Sequence, residues 1–179
     1  MAAVSVPVSI PRSAGWQLLV LLVAAMGCQD VRVGLSPADA TIVRRYLDCI
    51  DCITPLDSVR ALAGRLPDPT VDSLNSGLLL GPGVQTVAAA ESVLTIGYLR
   101  DSTWRALNNL GPLPDRLTYV TQARERYVNG YRSRGAYGLG WIHSPRAVAY
   151  LDSAAQMPNL PPSVKQAVLY ARDSLPPPQ

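Results

Sequence analysis

The chain has 179 residues, 48% of them hydrophobic, which is enough apolar material for one domain of ordinary size with a buried core. Its formal net charge is +3, from 16 basic and 13 acidic residues, and so balanced a charge argues against a dedicated nucleic-acid binder. The 16 prolines and 13 glycines are spread along the chain, which is typical of short helices that end abruptly.

The first 27 residues have the features of an export signal. Arg12 precedes an apolar run, residues 18–25, that is shorter than the roughly 20 apolar residues a bilayer-spanning helix needs. A basic residue, a short apolar core and small residues after it are the parts of a signal peptide. We therefore predict a signal peptide over residues 1–27 and an exported protein.

The apolar run ends in Ala25-Met26-Gly27-Cys28, which resembles the lipobox of bacterial lipoproteins. In that motif a small residue precedes a cysteine that is lipidated and becomes the new N-terminus. The resemblance implies lipidation of Cys28, a tether over residues 28–35 and a location on the periplasmic side of a bacterial membrane. Ordinary secretion and a retained signal-anchor helix are the alternatives.

If Cys28 carries lipid, the other two cysteines, Cys49 and Cys52, form an even pair. A thiol–disulfide exchange site is usual at a helix N-terminus, where the helix dipole stabilises the thiolate. Here the pair lies at the C-terminal end of the first predicted helix, beside Asp48 and Asp51, and both features disfavour a thiolate. The sequence favours a structural disulfide; the alternatives are an exchange site and cysteines that are free or pair elsewhere.

Helix-start signals recur along the rest of the chain and predict a series of short helices. They combine capping residues, prolines and acidic residues. They occur at Ser36-Pro37, Thr54-Pro55, Pro67-Asp68, Asp101-Ser102, Pro114-Asp115, Ser144-Pro145 and Pro161-Pro162. The short connections between the helices force neighbours to lie antiparallel, which is typical of an all-α domain or an α-solenoid.

Several features of the middle bear on the number of helices. After the break Gly81-Pro82-Gly83, residues 84–99 have the character of a buried helix, and Asp101-Ser102 then starts a separate short one. Asn129-Gly130 either ends a helix or kinks a long one, and residues 117–121 are the one short strand alternative. The sequence predicts eight or nine helices of about 9–16 residues.

The stretch 131–175 resembles the HEAT-repeat pattern, in which an arginine-alanine-leucine-glycine helix is followed by a proline-alanine-valine-leucine helix. The matching residues are Arg132, Ala136, Leu139, Gly140, Ile142, Pro145, Ala147, Val148, Leu151 and Ala154, followed by Ser163, Val164, Ala167 and Ala171. The resemblance implies a short α-solenoid of stacked antiparallel helical hairpins over residues 36–175. It also implies a scaffold that binds other proteins along a curved face. The prolines of residues 176–179 indicate a disordered tail.

A run of arginines with interleaved tyrosines is the candidate partner-binding surface. Arginine and tyrosine favour protein interfaces, although a solvated face is the alternative. The candidates are Arg124, Tyr127, Tyr131, Arg132, Arg134, Tyr137 and Arg146. The partner we expect is another envelope or membrane protein rather than nucleic acid.

Signals for catalysis or metal binding are weak. His143 is the one histidine, and its place before Ser144-Pro145 suits a helix cap. There is no G-x-S-x-G nucleophile motif and no phosphate-binding loop, and Gly138-Leu139-Gly140 lies within a helix pattern, where it serves packing. We therefore expect no catalytic residues, no metal and no cofactor.

Together these features predict a non-enzymatic, envelope-anchored interaction scaffold or an accessory subunit of a membrane complex. The membrane attachment is either the lipid on Cys28 or a retained signal helix. One alternative is an extracytoplasmic thiol–disulfide helper that uses Cys49 and Cys52. The other is a small-ligand carrier with a pocket between helices.

Overall fold

The structure is a computed structural model that describes residues 34–49, 55–142 and 144–174. Seven α-helices occupy these ranges: α1 (Pro37–Asp48), α2 (Pro55–Arg65), α3 (Pro67–Leu80), α4 (Val84–Leu107), α5 (Arg116–Ile142), α6 (Pro145–Ala155) and α7 (Pro162–Asp173). The described ranges contain no strand, so the predicted all-α class, with helices stacked in a solenoid-like manner, is confirmed.

Several predictions fall on residues that lie outside the described ranges. They are the signal peptide over residues 1–27, the lipidation of Cys28, most of the tether, the cysteine at 52, the cap at His143 and the tail over residues 176–179.

Side-chain caps form at the predicted helix starts Ser36-Pro37 and Ser144-Pro145. Ser36 Oγ accepts a hydrogen bond from the Asp39 backbone N–H at 3.2 Å, and Ser144 Oγ accepts one from Ala147 at 3.1 Å. Each cap satisfies one of the backbone donors that a helix N-terminus leaves free. The sequence signals at these two starts therefore predicted the local structure correctly.

The longest helix, α5, lies at the centre of the described fold and contacts each of the other six helices. It can do so because small residues reduce its bulk. A Cβ built on Gly135 would lie 2.6 Å from the Leu78 backbone nitrogen in α3, and one on Gly140 would lie 3.0 Å from the Ala171 carbonyl oxygen in α7. Between these contacts Leu139 is fully buried.

The core forms where α1, α2, α3, α6 and α7 pack on the C-terminal half of α5. Its largest fully buried side chains are aliphatic and come from each of these helices. They include Leu47, Leu62, Leu74, Leu78, Leu139, Leu151, Val164 and Val168.

The helices α3 and α4 are bent by 61° relative to each other at residues 81–83. Both then run antiparallel to α5: the Tyr98 and Tyr119 rings lie 5.2 Å apart, and Arg132 Nε donates to the Leu78 carbonyl at 2.8 Å. The start of α5 therefore lies beside α4 and its later part lies beside α3, and α5 is antiparallel to both helices. Among the described helices, α4 contacts α5 alone.

Three sequence predictions about the middle of the chain were wrong: the separate helix at residue 101, the burial of residues 84–99 and the number of helices. Residues 84–107 form one helix rather than two, because the Asp101 carboxylate accepts a hydrogen bond from the Tyr119 hydroxyl of α5 instead of capping a new helix. This helix has no buried residue, although a buried helix was predicted. Residues 117–121 are helical, and α5 continues through Asn129-Gly130, so the described part has seven helices instead of eight or nine.

No single helix in the described ranges is both long enough and apolar enough to cross a membrane. The bent pair of α3 and α4 meets the length and composition test when taken together.

Candidate protein-interaction surface

Most of the predicted partner-binding residues make contacts within the chain. Arg124 forms an ion pair with Glu91 at 3.1 Å, which joins α5 to α4. The Tyr127 hydroxyl donates to Asp48 at 3.2 Å, and Tyr131 is buried in the core. These side chains hold α5 against its neighbours.

The arginines of the C-terminal part of the run are engaged in the same way. Arg134 Nη1 donates to the Tyr46 carbonyl at 3.1 Å, and its guanidinium lies 5.9 Å from the Tyr46 ring centroid. Arg146 Nη2 donates to Asp72 at 2.8 Å, and burial lowers the pKa of Arg132. Of the seven candidates, the partly buried Tyr137 is the one that contacts two exposed aromatic rings, those of Trp141 and Tyr170.

That cluster, which we call the aromatic patch, consists of Tyr137 and Trp141 of α5 and Tyr170 of α7. Tyr137 stacks on Trp141 with ring centroids 6.4 Å apart, and Tyr170 meets Tyr137 edge-on at 6.0 Å. Tyr170 is 65% exposed and Trp141 is 37% exposed. Large, rigid aromatic side chains that stay accessible are typical of binding hot spots.

The packing of the helices positions these rings. Tyr137 and Trp141 are four residues apart and therefore lie on the same face of α5. Gly140 lies on the Ala171 backbone, and this close approach of α5 to α7 places Tyr170 beside Tyr137. The patch is thus attached to the best-packed part of the fold, which keeps its geometry fixed before binding.

A buried tyrosine packs against the core side of the aromatic patch. Tyr46 of α1 is 3% exposed and packs edge-on against Trp141 at 6.1 Å. Its hydroxyl donates to the Arg134 carbonyl at 3.1 Å, and burial raises the pKa of Tyr46. The exposed Arg60 of α2 lies 5.9 Å from the Trp141 ring centroid and adds a positive charge at the rim.

A second exposed apolar surface lies on α4. Ile96 is 67% exposed and Leu99 is 58% exposed, although both are in the middle of a long helix. Large aliphatic side chains that are exposed close together on one helix are typical of interaction sites.

An open groove of about 500 Å³ runs between α4 and α5. Its lining is mainly apolar, with Arg126 as the charged member. The other lining residues are Ala90, Val93, Leu94, Tyr119, Ala123 and Tyr127. Its size falls within the range of small-molecule sites in proteins.

The remaining chemical candidates add little to the site. Cys49 ends α1 as its C-cap and is disulfide-bonded. Within the described ranges no group of three or more His, Cys, Asp or Glu side chains is arranged to hold a metal ion.

Comparison with known proteins gives no relative from which a site could be transferred. No family model, no curated protein and no solved structure matches the chain.

Sequence reasoning did not find three members of this surface: Trp141, Tyr170 and Arg60. The spacing of Tyr137 and Trp141 on one helix face was a usable signal. The approach of Tyr170 and Arg60 depends on how α7 and α2 cross α5, and the sequence does not show that.

Proposed function

We propose that this protein is a non-enzymatic, HEAT-like interaction scaffold, anchored in the bacterial envelope, that binds another envelope protein through the aromatic patch. The observation that carries the proposal is the cluster in which the partly buried Tyr137 holds the exposed rings of Trp141 and Tyr170. The predicted export signal and the lipobox-like sequence before Cys28 support the anchored location. An accessory subunit of a membrane complex fits the same observations.

The chemistry of the patch suggests what the partner presents. The rings of Trp141 and Tyr170 offer apolar surface, while Arg60 at the rim offers a positive charge. A partner segment with an apolar or aromatic side chain beside a carboxylate would match both features.

Affinity purification of the full chain from membranes in mild detergent tests this proposal. We expect one stoichiometric partner with the wild type, lost with Tyr170→Ala and kept with Lys165→Ala, a change of another exposed residue of α7. Because Tyr170 is largely exposed, its removal leaves the fold intact, and unchanged circular dichroism checks this. A partner that is retained equally by both variants would contradict the assigned surface.

The groove between α4 and α5 favours a second candidate function, a carrier of a small apolar ligand. Ala90 lines the groove, whereas Ala88 of the same helix is exposed and does not line it. If the chain is a carrier, Ala90→Phe abolishes the binding of an environment-sensitive apolar dye and Ala88→Phe preserves it. No dye binding to the wild type, or equal loss with both variants, would reject the carrier function.

We further propose that Cys49 pairs with Cys52 as a static link rather than an exchange site. The disulfide at Cys49 and its position at a helix C-terminus support this, because such a position does not stabilise a thiolate. Mass spectrometry of the non-reduced peptide tests the pairing. Turnover in a standard disulfide-reduction assay would favour the redox helper instead.

A further inference from the structure

The C-terminal ends of α5 and α7 lie side by side. Gly140, two residues before the end of α5, approaches the backbone of Ala171, two residues before the end of α7. The short connections on either side of α6 make it antiparallel to both helices, so α5 and α7 run in the same direction. The chain therefore leaves α7 beside the end of α5 that carries Trp141.

The last turn of α7 places the exit of the chain on the face that carries Tyr170. Ser174 is the C-cap of α7, and its backbone N–H donates to the Tyr170 carbonyl at 3.0 Å. The Ser174 hydroxyl donates to the same carbonyl at 2.8 Å. Ser174 thus lies one turn beyond Tyr170, and the sequence continues from there as Leu-Pro-Pro-Pro-Gln, residues 175–179.

Residues 175–178, which lie outside the described ranges and which we call the proline segment, are apolar and uncharged. Each proline fixes φ at about −65°, and a residue that precedes a proline favours extended backbone. Such a run favours the polyproline II helix, which has no internal hydrogen bonds and loses little entropy on binding. Segments of this kind bind to surfaces lined with aromatic rings.

The aromatic patch has the chemistry and the extent that the proline segment needs. Trp141 is 37% exposed, Tyr170 is 65% exposed, and Tyr137 contacts both rings. In polyproline II form the segment spans about 12 Å, which suffices for the ring-to-ring steps of 6.0 and 6.4 Å from Tyr170 through Tyr137 to Trp141. The axes of closely packed helices such as α5 and α7 are about 8 Å apart, so the segment can cross from one helix to the other.

We propose that the proline segment of this chain docks on its own aromatic patch, with its proline rings on Trp141 and Tyr170. Attachment to Ser174 holds the segment at an effective concentration in the millimolar range, so that even a weak contact forms. The consequence for binding rests on the proposed function: a partner of the patch has to displace the segment, which lowers the apparent affinity of that partner. The disorder predicted for residues 176–179 then belongs to the displaced state.

Fluorine NMR of the full chain in mild detergent, with fluorotryptophan at its three tryptophans, tests the docking in the absence of a partner. Trp141→Phe assigns the Trp141 signal, and Trp16 and Trp104 are internal references. We expect replacement of the three prolines 176–178 by serine to shift the Trp141 signal and to leave the other two in place. Pro158→Ser, an exposed change between α6 and α7, is the control and should shift none of the three.

A second variant and a free peptide test whether the shift arises on the patch. In a Tyr170→Ala chain, which lacks one of the rings, the same proline changes should shift the Trp141 signal less. The peptide Leu-Pro-Pro-Pro-Gln, added at millimolar concentration to the chain with serines at 176–178, should return the Trp141 signal towards its position in the parent chain.

A Trp141 signal that the proline changes leave in place would overturn the proposal, as would a peptide that shifts all three tryptophan signals alike. These outcomes do not depend on the proposed function, because no partner is present. A membrane purification that yields no partner would count against the proposed function and would leave the docking of the proline segment intact.

Discussion

Gly135 and Leu78 mark a very close approach of α5 and α3: a Cβ on Gly135 would lie 2.6 Å from the Leu78 backbone nitrogen. Side chains almost never come so close to backbone, and a backbone atom cannot rotate away as the end of a side chain can. The contact between α3 and α5 therefore requires glycine at this position.

The first prediction concerns this contact. Gly135→Ala should destabilise the fold by about 1–3 kcal/mol, because the added methyl group forces α3 and α5 apart. Gly64→Ala in α2 is the matched control, since a Cβ there meets nothing within 4 Å. The control should be neutral or stabilising by up to about 1 kcal/mol through helix propensity. Urea unfolding followed by circular dichroism measures both, and equal effects would show that the contact is not tight.

The second prediction concerns the two hydrogen bonds between Tyr46 and Arg134. The Tyr46 hydroxyl donates to the Arg134 carbonyl, and the Arg134 guanidinium donates to the Tyr46 carbonyl, both at 3.1 Å. Tyr46→Phe removes the first bond alone and should cost about 0.5–1.5 kcal/mol of unfolding free energy. Tyr170→Phe is the control, because it removes the hydroxyl of an exposed ring, and it should cost less than about 0.5 kcal/mol. A Tyr46→Phe protein as stable as the wild type would show that the bond contributes nothing.

The third prediction follows from burial of two tyrosines. Burial raises the pKa of Tyr46, and burial together with the Asp48 carboxylate raises that of Tyr127, in the folded state. A group with a raised folded pKa stabilises the fold below its unfolded pKa, and this stability is lost as the pH rises above it. Stability should thus fall above the ordinary tyrosine pKa of about 10.

Absorbance of tyrosinate during alkaline titration checks this. We expect the signal of Tyr46 and Tyr127 to appear only when the helical circular dichroism is lost. Tyr46→Phe should remove about one tyrosine's share of this late step. Full ionisation of all eight tyrosines in a chain that is still helical would contradict the assigned burial.

The fourth prediction concerns the start of α5 at acidic pH. Asp115 accepts hydrogen bonds from the Thr118 backbone N–H at 3.0 Å and from the Thr118 hydroxyl. These bonds lower the pKa of Asp115, so its stabilising effect is present above the unfolded pKa and is lost as the pH falls through the folded one. Asp115→Asn should lower the melting temperature at neutral pH, and the difference from the wild type should shrink in acid. A difference that does not depend on pH would show that the charge has no role.

Local signals in the sequence were sufficient to predict two helix starts, at Ser36-Pro37 and Ser144-Pro145. Ser36-Pro37 and Ser144-Pro145 act through bonds within one turn, so short-range spacing determines them. The break between helices at residues 81–83 was also predicted correctly from the sequence. The continuation of α4 through Asp101 could not be predicted from local signals. There the Asp101 carboxylate accepts a hydrogen bond from Tyr119, eighteen residues away in sequence, instead of capping a new helix.

The interaction surface was less predictable for the same reason. Arginine is common at interfaces, yet Arg124 forms an ion pair with Glu91 and Arg134 donates a hydrogen bond to the Tyr46 carbonyl within the chain. Tyr137 was found because it belongs to the same run. Tyr170 reaches Tyr137 only through the crossing of α5 and α7, which depends on long-range packing at Gly140.

The central claim is that the aromatic patch binds another envelope protein, and photo-cross-linking from Tyr170 in intact membranes tests it most directly. A benzophenone amino acid in place of Tyr170 should yield one discrete cross-linked band with a second protein. The same group in place of Lys165, exposed elsewhere on α7, should not. A Tyr170 variant that gives no band, or the same bands as the Lys165 variant, would contradict the claim.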